Sequence, residues 1–535
     1  SNMSALTLLA LIMAAAVQAQ NCDGKSAGYY CKDDQTFVWC WGQPTGQEMK
    51  CGAGTMCKCG KTQFNPCVFS FQDLPDCEGK PGDFFKPDSE QPVPPESSSH
   101  QSSQSPEPPA PEPSESSHPS ESSQPTPPPP PSSSSTPESS ESSTTPPAPE
   151  SSSTKPVEPS SSESSTTPKG PKKMMAYYTN WAQYRWASID GWACKFTPSN
   201  IDPSFLDAIN YAFVVFDENY EVKEFEWNDD QMIPQIVQLK SRKPDLKVLI
   251  SIGGWNFNLY DSTKHLFTEM AEHKAGRAKF IASAIAFARR YNVDGIDIDW
   301  EYPCNEDQGG RPVDKESFTL LLKEFREAIN AEVLSSGKSR LLLTIAAPAG
   351  PQNIQNIEIS KFHQYLDWIN LMAYDLHGAW ENVTGSHTAL YADDGLSVND
   401  AVNAYLKEGV PKSKLMVGLA HYARGWTLAS ENDHAIGSAA TGASQSGKCT
   451  GQDGMLAAYE VNDQIPSSNI EYDANSRTMY GWTGNQFFSF ENQNTFKMKT
   501  DFICHNDLGG AFFWALDLDK DFVNSKFVQK QLQQC

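Results

Sequence analysis

Residues 294–301 read Asp294-Gly295-Ile296-Asp297-Ile298-Asp299-Trp300-Glu301, and the fold follows from how this octapeptide is read. Val293 and the isoleucines make a short β-rich run, so a strand is expected. Side chains alternate along a strand, which puts Asp297, Asp299 and Glu301 on one face and Ile296, Ile298 and Trp300 on the other. Three ionised acids in a row on a buried face would repel one another. At least one must stay protonated near neutral pH, which is how a fold makes a general acid of a carboxyl group. A metal site would need oxygens converging from several directions, which one straight strand does not supply. A solvated acidic edge would not carry isoleucines and a tryptophan on its back. Catalysis is the better reading of the three.

Working outward, short apolar runs recur after Pro171 with helical stretches between them. Candidate strands are 175–179, 209–215, 248–252, 293–299, 341–346, 368–373, 415–420 and 510–515, and 279–290 and 315–334 read as helices. Eight strand–helix alternations over about 360 residues predict an α/β fold, a (β/α)8 TIM barrel. The interval before the eighth strand is far longer than the rest. It contains hairpin material at 472–482, so a small α+β insertion is expected over 427–500. The groups that carry chemistry fall at the C-terminal ends of these strands, where barrel enzymes build their sites.

The spacing of the acids narrows the chemistry. In ordinary retaining glycosidases two carboxyl groups flank the scissile bond from opposite sides, roughly 5–5.5 Å apart. Acids one residue apart on a strand lie on the same side of whatever sits above them. A nucleophile supplied by the substrate removes the difficulty, and a 2-acetamido sugar has one in its N-acetyl oxygen. The octapeptide resembles the signature of glycoside hydrolase family 18, the chitinases. The resemblance runs from about residue 173 to 527. It includes Tyr177-Tyr-Thr-Asn-Trp181 at the first strand, Ser251-Ile-Gly-Gly-Trp255 at the third and Met372-Ala-Tyr374-Asp375 at the sixth. Tyr422-Ala-Arg424 follows the seventh, and Trp514 ends the eighth.

This resemblance implies a chitinase that hydrolyses β-1,4-N-acetylglucosamine linkages in chitin and chitooligosaccharides, with retention and with no cofactor or metal. Glu301 matches the family's general acid, Asp299 the residue that orients the acetamido group, and Asp297 its proton-sharing partner. Tyr374 would donate to the acetamido oxygen. Trp514 would form the floor under the sugar, with Tyr177 and Phe213 as walls and Met372 and Tyr422 completing the pocket. Trp181 and Trp255 resemble outer stacking platforms, and Asp375 and Arg424 resemble hydroxyl ligands. Tryptophan is also a common core residue, and Asp–Arg a common structural pair. Asp294 has the opposite parity and reads as structural, while His377 and His421 are assigned no role. Ala423 stands where the family has a glycine, and Ala176 and Leu206 stand where members often carry paired cysteines. Bridging must therefore differ among Cys194, Cys304, Cys449, Cys504 and Cys535, whose odd number leaves at least one unpaired.

The rest of the chain differs in kind. Residues 1–19, with an apolar run at 5–17 and a small-residue site at 17–19, read as a signal peptide of a secreted, extracellular or cell wall-associated protein. Residues 20–78 hold Cys22, Cys31, Cys40, Cys51, Cys57, Cys59, Cys67 and Cys77. So small a domain depends on disulfides, and the spacing does not match a zinc knuckle. With Phe37-Val-Trp39-Cys-Trp41 among them, these cysteines resemble the eight-cysteine chitin-binding domains that precede a Ser-rich spacer in secreted amoebic chitinases. Residues 79–170 are mostly Ser, Pro, Glu and Thr, a composition that cannot offset its ordering entropy, so a disordered and O-glycosylated tether is expected. Residues 171–535 form the catalytic barrel. The net charge of −24 argues against nucleic acid and anionic membranes as partners, and a monomer is expected. Two competing activities are an endo-β-N-acetylglucosaminidase and an inactive lectin; intact Glu301 speaks against the lectin.

Overall fold

The computed structural model describes residues 171–535 except 186 and 190, and parts of 20–84. Eight parallel strands close into a barrel: Lys173–Thr179, Ala208–Phe216, Lys247–Gly253, Gly295–Asp299, Leu342–Pro348, Trp368–Met372, Leu415–Ala420 and Gly510–Trp514. The first strand pairs with both the second and the eighth, which shuts the cylinder. Each of the eight expected strands is present, with ends shifted by no more than a few residues. Residues 279–290 and 315–334 lie inside the helices Lys274–Arg290 and Asp314–Ser336.

Strand parity builds two cores. Along the first strand Met174, Ala176 and Tyr178 face the helices, while Met175 and Tyr177 fill the barrel interior. On the fourth, Ile296, Ile298 and Trp300 pack outward, with the indole of Trp300 stacked on Phe267 at 5.1 Å. The alternate residues are therefore forced to the axis, and there they are acids. The first connection departs from the barrel pattern. Among the described residues it holds no α-helix: a 3-10 helix Asn180–Tyr184 and a small hairpin, Ser188–Ile189 with Trp192–Ala193, precede two short 3-10 turns, Pro198–Asn200 and Pro203–Phe205, each opened by a proline that cannot extend a helix backwards.

After the seventh strand the chain enters a six-stranded antiparallel sheet with its own apolar core, the α+β insertion. The 472–482 hairpin is there, as Ile470–Asp473 against Thr478–Thr483. The sheet's first strand, Tyr422–Leu428, starts one residue after the barrel strand ends, ahead of position 427. That early start carries Tyr422 and Arg424 back over the barrel mouth. Cys194–Cys449 ties the first connection to the insertion, Cys504–Cys535 ties the helix Gln493–His505 to the last residue, and Cys304 is free.

The N-terminal strands form a five-stranded antiparallel sheet and a two-stranded one, Thr55–Cys57 with Cys67–Phe69. Cys22–Cys40 and Cys31–Cys57 are bridged, and Cys59 is also disulfide-bonded. Phe37 is buried beside Val38. Cys51, Cys77, Trp41 and the side chains of Cys67 and Trp39 lie outside the described residues, as do 1–19 and 85–170. No helix among the described residues is long and apolar enough to cross a membrane.

One buried ion pair fastens the insertion to the helix that leads back into the barrel. Glu491 and Lys499 pair with both side chains 1% exposed, and the Thr388 hydroxyl donates to the same carboxylate. Removing one partner strands the other charge away from water. Lys499→Met should cost about 3–5 kcal/mol in urea denaturation, whereas Lys499→Met with Glu491→Leu should recover most of it. Equal losses in the single and double variants would show that the pair is not the source of the stability.

Candidate active site

Asp297 lies at the barrel axis, fully buried. Four side chains from four other strands donate to it: Tyr177 Oη and Ser251 Oγ at 2.8 Å to Oδ2, Thr344 Oγ1 at 2.5 Å and Asn370 Nδ2 at 3.2 Å to Oδ1. Strand register makes this set, since Ser251 and Thr344 are the direct neighbours of Asp297 on either side. Burial pushes its carboxyl up, the four donors pull it back, and it stays above the ordinary range.

Asp299, one pleat nearer the mouth, has no such shell. Its Oδ1 is buried without a hydrogen-bond partner. Burial, then the negative charges of Glu301 and Asp297, hold its carboxyl well above the usual value. Glu301 follows just past the strand and is 9% exposed. Burial raises it to about 7; the Tyr302 hydroxyl pulls the other way and the charge of Asp375 adds to the rise. At neutral pH Glu301 is therefore poised between acid and base.

Asp375 behaves in the opposite manner. Burial would raise it, yet the Arg424 guanidinium holds it far below the carboxylate range. The grip is bidentate, Nε to Oδ1 at 2.7 Å and Nη2 to Oδ2 at 2.6 Å, and Tyr422 Oη donates to Oδ1 at 2.7 Å. Ala423 points the other way, into the insertion's core, so its methyl does not disturb this clamp. Tyr374 is buried between Tyr422 and Phe512, with both rings 6.1 Å away. Burial and then the nearby acids push its phenol well above 10, so it remains a donor.

The aromatic residues form a continuous face. Phe213, Trp181 and Trp514 contact one another, with centroids 6.0 Å apart for Phe213–Trp181, 5.7 Å for Phe213–Trp514 and 6.1 Å for Trp181–Trp514, and Tyr177 meets Trp514 at 5.3 Å. Gly254 permits this packing: it has φ +88°, and a Cβ there would lie 2.5 Å from the Phe213 ring. Trp255 stands apart, 48% exposed at the start of a short helix and without a ring contact among the described residues. Met372 lies in the interior core below Tyr374. Asp294 accepts from the backbone N–H of Val248 and pairs with Lys240, away from the other acids. His377 sits between Glu381 and Asp394, and His421 stacks on Phe513.

Several residues of the site had no assignment from the sequence. Ser251, Thr344 and Asn370 complete the Asp297 shell; Ser251 heads a family-like motif without an assigned role, and a lone polar residue inside an apolar strand was the signal for the other two. Tyr302 lies beside Glu301. Trp380, 63% exposed, has the Arg424 guanidinium 5.8 Å from its ring centre. His387 is fully buried with Nδ1 3.7 Å from Asp375, and no local pattern marks it.

A family model described as "Glycosyl hydrolases family 18" matches residues 173–519. Chitotriosidase-1 of Mus musculus is 38% identical over 361 residues, 66% of this chain and 74% of that protein. The solved structure of an immunomodulatory active chitinase from Trichuris suis superposes with a TM-score of 0.61 at 33% identity, covering 68% of this chain and 99% of that one. Human YKL-39, described as a pseudo-chitinase with retained chitooligosaccharide binding properties, superposes with a TM-score of 0.61 at 31% identity over 68% of this chain and 99% of its own.

The electrostatic arrangement makes a measurable statement about Glu301. Because the charge of Asp375 helps to raise it, Asp375→Asn should lower the midpoint from about 7, and the unpaired Arg424 left behind pushes in the same direction. Carboxyl 13C NMR of selectively labelled protein reads the shift. An unchanged midpoint would mean that the two groups do not feel each other.

Proposed function

This chain belongs to glycosyl hydrolases family 18, and from that membership we propose that it is a secreted chitinase whose substrate supplies the nucleophile. The observation that carries the reading is the set of unlike carboxyls on one strand and its end: Asp297 held by four donors, Asp299 with an unpartnered oxygen, and Glu301 raised to about 7. A glycosidase needs an acid at the leaving oxygen and a nucleophile at the anomeric carbon. Glu301 is the acid. Asp375 is no free nucleophile, because Arg424 and Tyr422 occupy its oxygens.

In the proposed reaction an N-acetylglucosamine unit rests on Trp514, walled by Tyr177 and Phe213, with Met372 and Tyr422 closing the pocket. Asp299 accepts from the acetamido N–H and Tyr374 donates to the acetamido oxygen, aiming it at the anomeric carbon. As that oxygen forms its bond to the carbon, the glycosidic bond breaks and Glu301 gives its proton to the leaving oxygen. The oxazolinium that results carries a positive charge, which Asp299 balances while its proton passes toward Asp297. Glu301, now a carboxylate, takes a proton from water, and the hydroxide equivalent opens the ring at the anomeric carbon. Two displacements return the β-anomer. Trp181 and Trp255 stack on sugars farther out, and Asp375 and Arg424 bind hydroxyls.

A fluorogenic chitotriose tested beside a high-mannose glycopeptide separates this activity from endo-β-N-acetylglucosaminidase action and from simple binding. Glu301→Gln should lower turnover about 10²–10⁴-fold while leaving oligosaccharide binding in place. Because Glu301 must begin protonated, kcat should fall as pH rises through about 7. Proton NMR before mutarotation should show the β-anomer first. The α-anomer as first product would overturn the mechanism.

The cysteine-rich segment 20–78 is proposed to bind chitin, and 79–170 to tether it to the barrel. About ninety residues reach roughly 280 Å extended and roughly 50 Å as a flexible coil, enough for two domains to touch separate points of one solid surface. Deleting 20–78 should leave hydrolysis of soluble chitotriose derivatives unchanged and lower activity on crystalline chitin, most at low enzyme concentration. Undiminished activity on the solid would remove the binding role.

A further inference from the structure

Beneath the aromatic face lies one buried carboxylate that takes no part in the proposed chemistry. Asp229 opens the helix Asp229–Gln238 after the second barrel strand and is fully buried. Its Oδ1 accepts from the Tyr211 hydroxyl and from Asn180 Nδ2 at 3.1 Å. Its Oδ2 accepts the backbone N–H groups of Phe225 and Glu226, both at 2.9 Å. The same Asn180 Nδ2 also donates to the Phe213 carbonyl at 3.1 Å.

What these donors have in common is their neighbours. Asn180 immediately precedes Trp181, Phe213 is one of the three rings in mutual contact, and Phe225 and Trp227 are half-exposed aromatics of the next loop. A second tier repeats the pattern. Gln183 and Asn228 exchange side-chain hydrogen bonds at 3.1 and 2.7 Å, which keeps the Trp227 loop beside the Trp181 loop. Tyr184 Oη donates to Glu226 at 2.6 Å. None of these bonds reaches Asp297, Asp299, Glu301 or Tyr374.

We propose that Asp229 is a positioning residue that holds Trp181 and the Phe225–Trp227 loop in one arrangement, and thereby sets how tightly long chains are bound relative to short ones. The inference rests on the reading of the cleft as a chitin-chain site. The physical reason is donor satisfaction. Without the carboxylate, the Tyr211 hydroxyl and two backbone N–H groups are buried without acceptors, and the segments bearing them must shift to reach water. An aromatic platform displaced by about 1 Å loses its fit to the sugar face, while the acids on the fourth strand keep their own partners.

The test uses the full chain with Asp229→Asn, which keeps the shape but loses the charge, and Asn180→Ala, which leaves the other three bonds of Asp229 in place. Steady-state kinetics are measured on a chitobiose-type fluorogenic substrate and on chitohexaose, with melting temperature alongside. The expected result is a KM for chitohexaose raised on the order of tenfold, with kcat and KM for the short substrate within about twofold of wild type. A merely structural role would lower kcat on both substrates together, and that outcome overturns the proposal. So does an unchanged KM ratio, or failure of both variants to fold. If the wild-type protein cleaves neither substrate, the reading of the cleft falls and takes this inference with it. If wild type cleaves both and the variants leave the ratio alone, this inference falls by itself.

Discussion

A charge placed on the axis of a closed barrel has no access to bulk water, and that constraint organises everything around it. The Asp297 carboxylate is tolerable there because Tyr177, Ser251, Thr344 and Asn370 reach it from four separate strands. Those four donors fix strand register as firmly as the backbone ladder does, since a slip by one residue would turn each away from the axis. They also use up the local supply of polar side chains. Asp299, one pleat on, is left with an unpartnered oxygen. The contrast between Asp297, whose donors offset its burial, and Asp299, which has only burial and neighbouring charge, therefore follows from where the donors run out.

The barrel was legible because strand parity and apolar content are local properties. Ile296, Ile298 and Trp300 announce an outward core by themselves, whereas the first strand is apolar on both faces and its parity emerges only in the structure. The positions of Asp297, Asp299 and Glu301 could be read from one octapeptide for the same reason. Partners supplied by other strands could not. Thr344 and Asn370 meet Asp297 only through register, which no single strand encodes. His387 and Trp380 come close to Asp375 and Arg424 through the path of a long loop. The start of the insertion sheet at Tyr422 was hidden because one residue separates it from the barrel strand, too short a break for composition to reveal.

Glycine explains a part of the site that motif matching describes but does not account for. In Ser251-Ile-Gly-Gly-Trp255 the second glycine, Gly254, lies against Phe213, which in turn stacks on Trp181 and Trp514. The absence of a side chain on the third strand's end is thus what lets a ring from the second strand enter the cleft. A sequence reading sees two glycines and a turn. The structure gives them a steric purpose, tied to an aromatic face built from the first, second and eighth strands.

The clamp on Asp375 bears most directly on how the proposed reaction must run. This residue has φ +55°, a conformation that non-glycine residues rarely adopt, and its carboxylate is gripped by a guanidinium and a phenol. An ion paired in this way is a poor nucleophile, because attack would require giving up its charge-assisted hydrogen bonds and would leave the Arg424 guanidinium without its partner. Its charge still acts at a distance by raising Glu301. Among the described residues the site's other carboxyls come from one strand and its end, Asp297 and Asp299 on it and Glu301 just past it. The clamp therefore agrees with the proposed reaction, in which the acetamido oxygen and not an acid on the opposite face is the nucleophile.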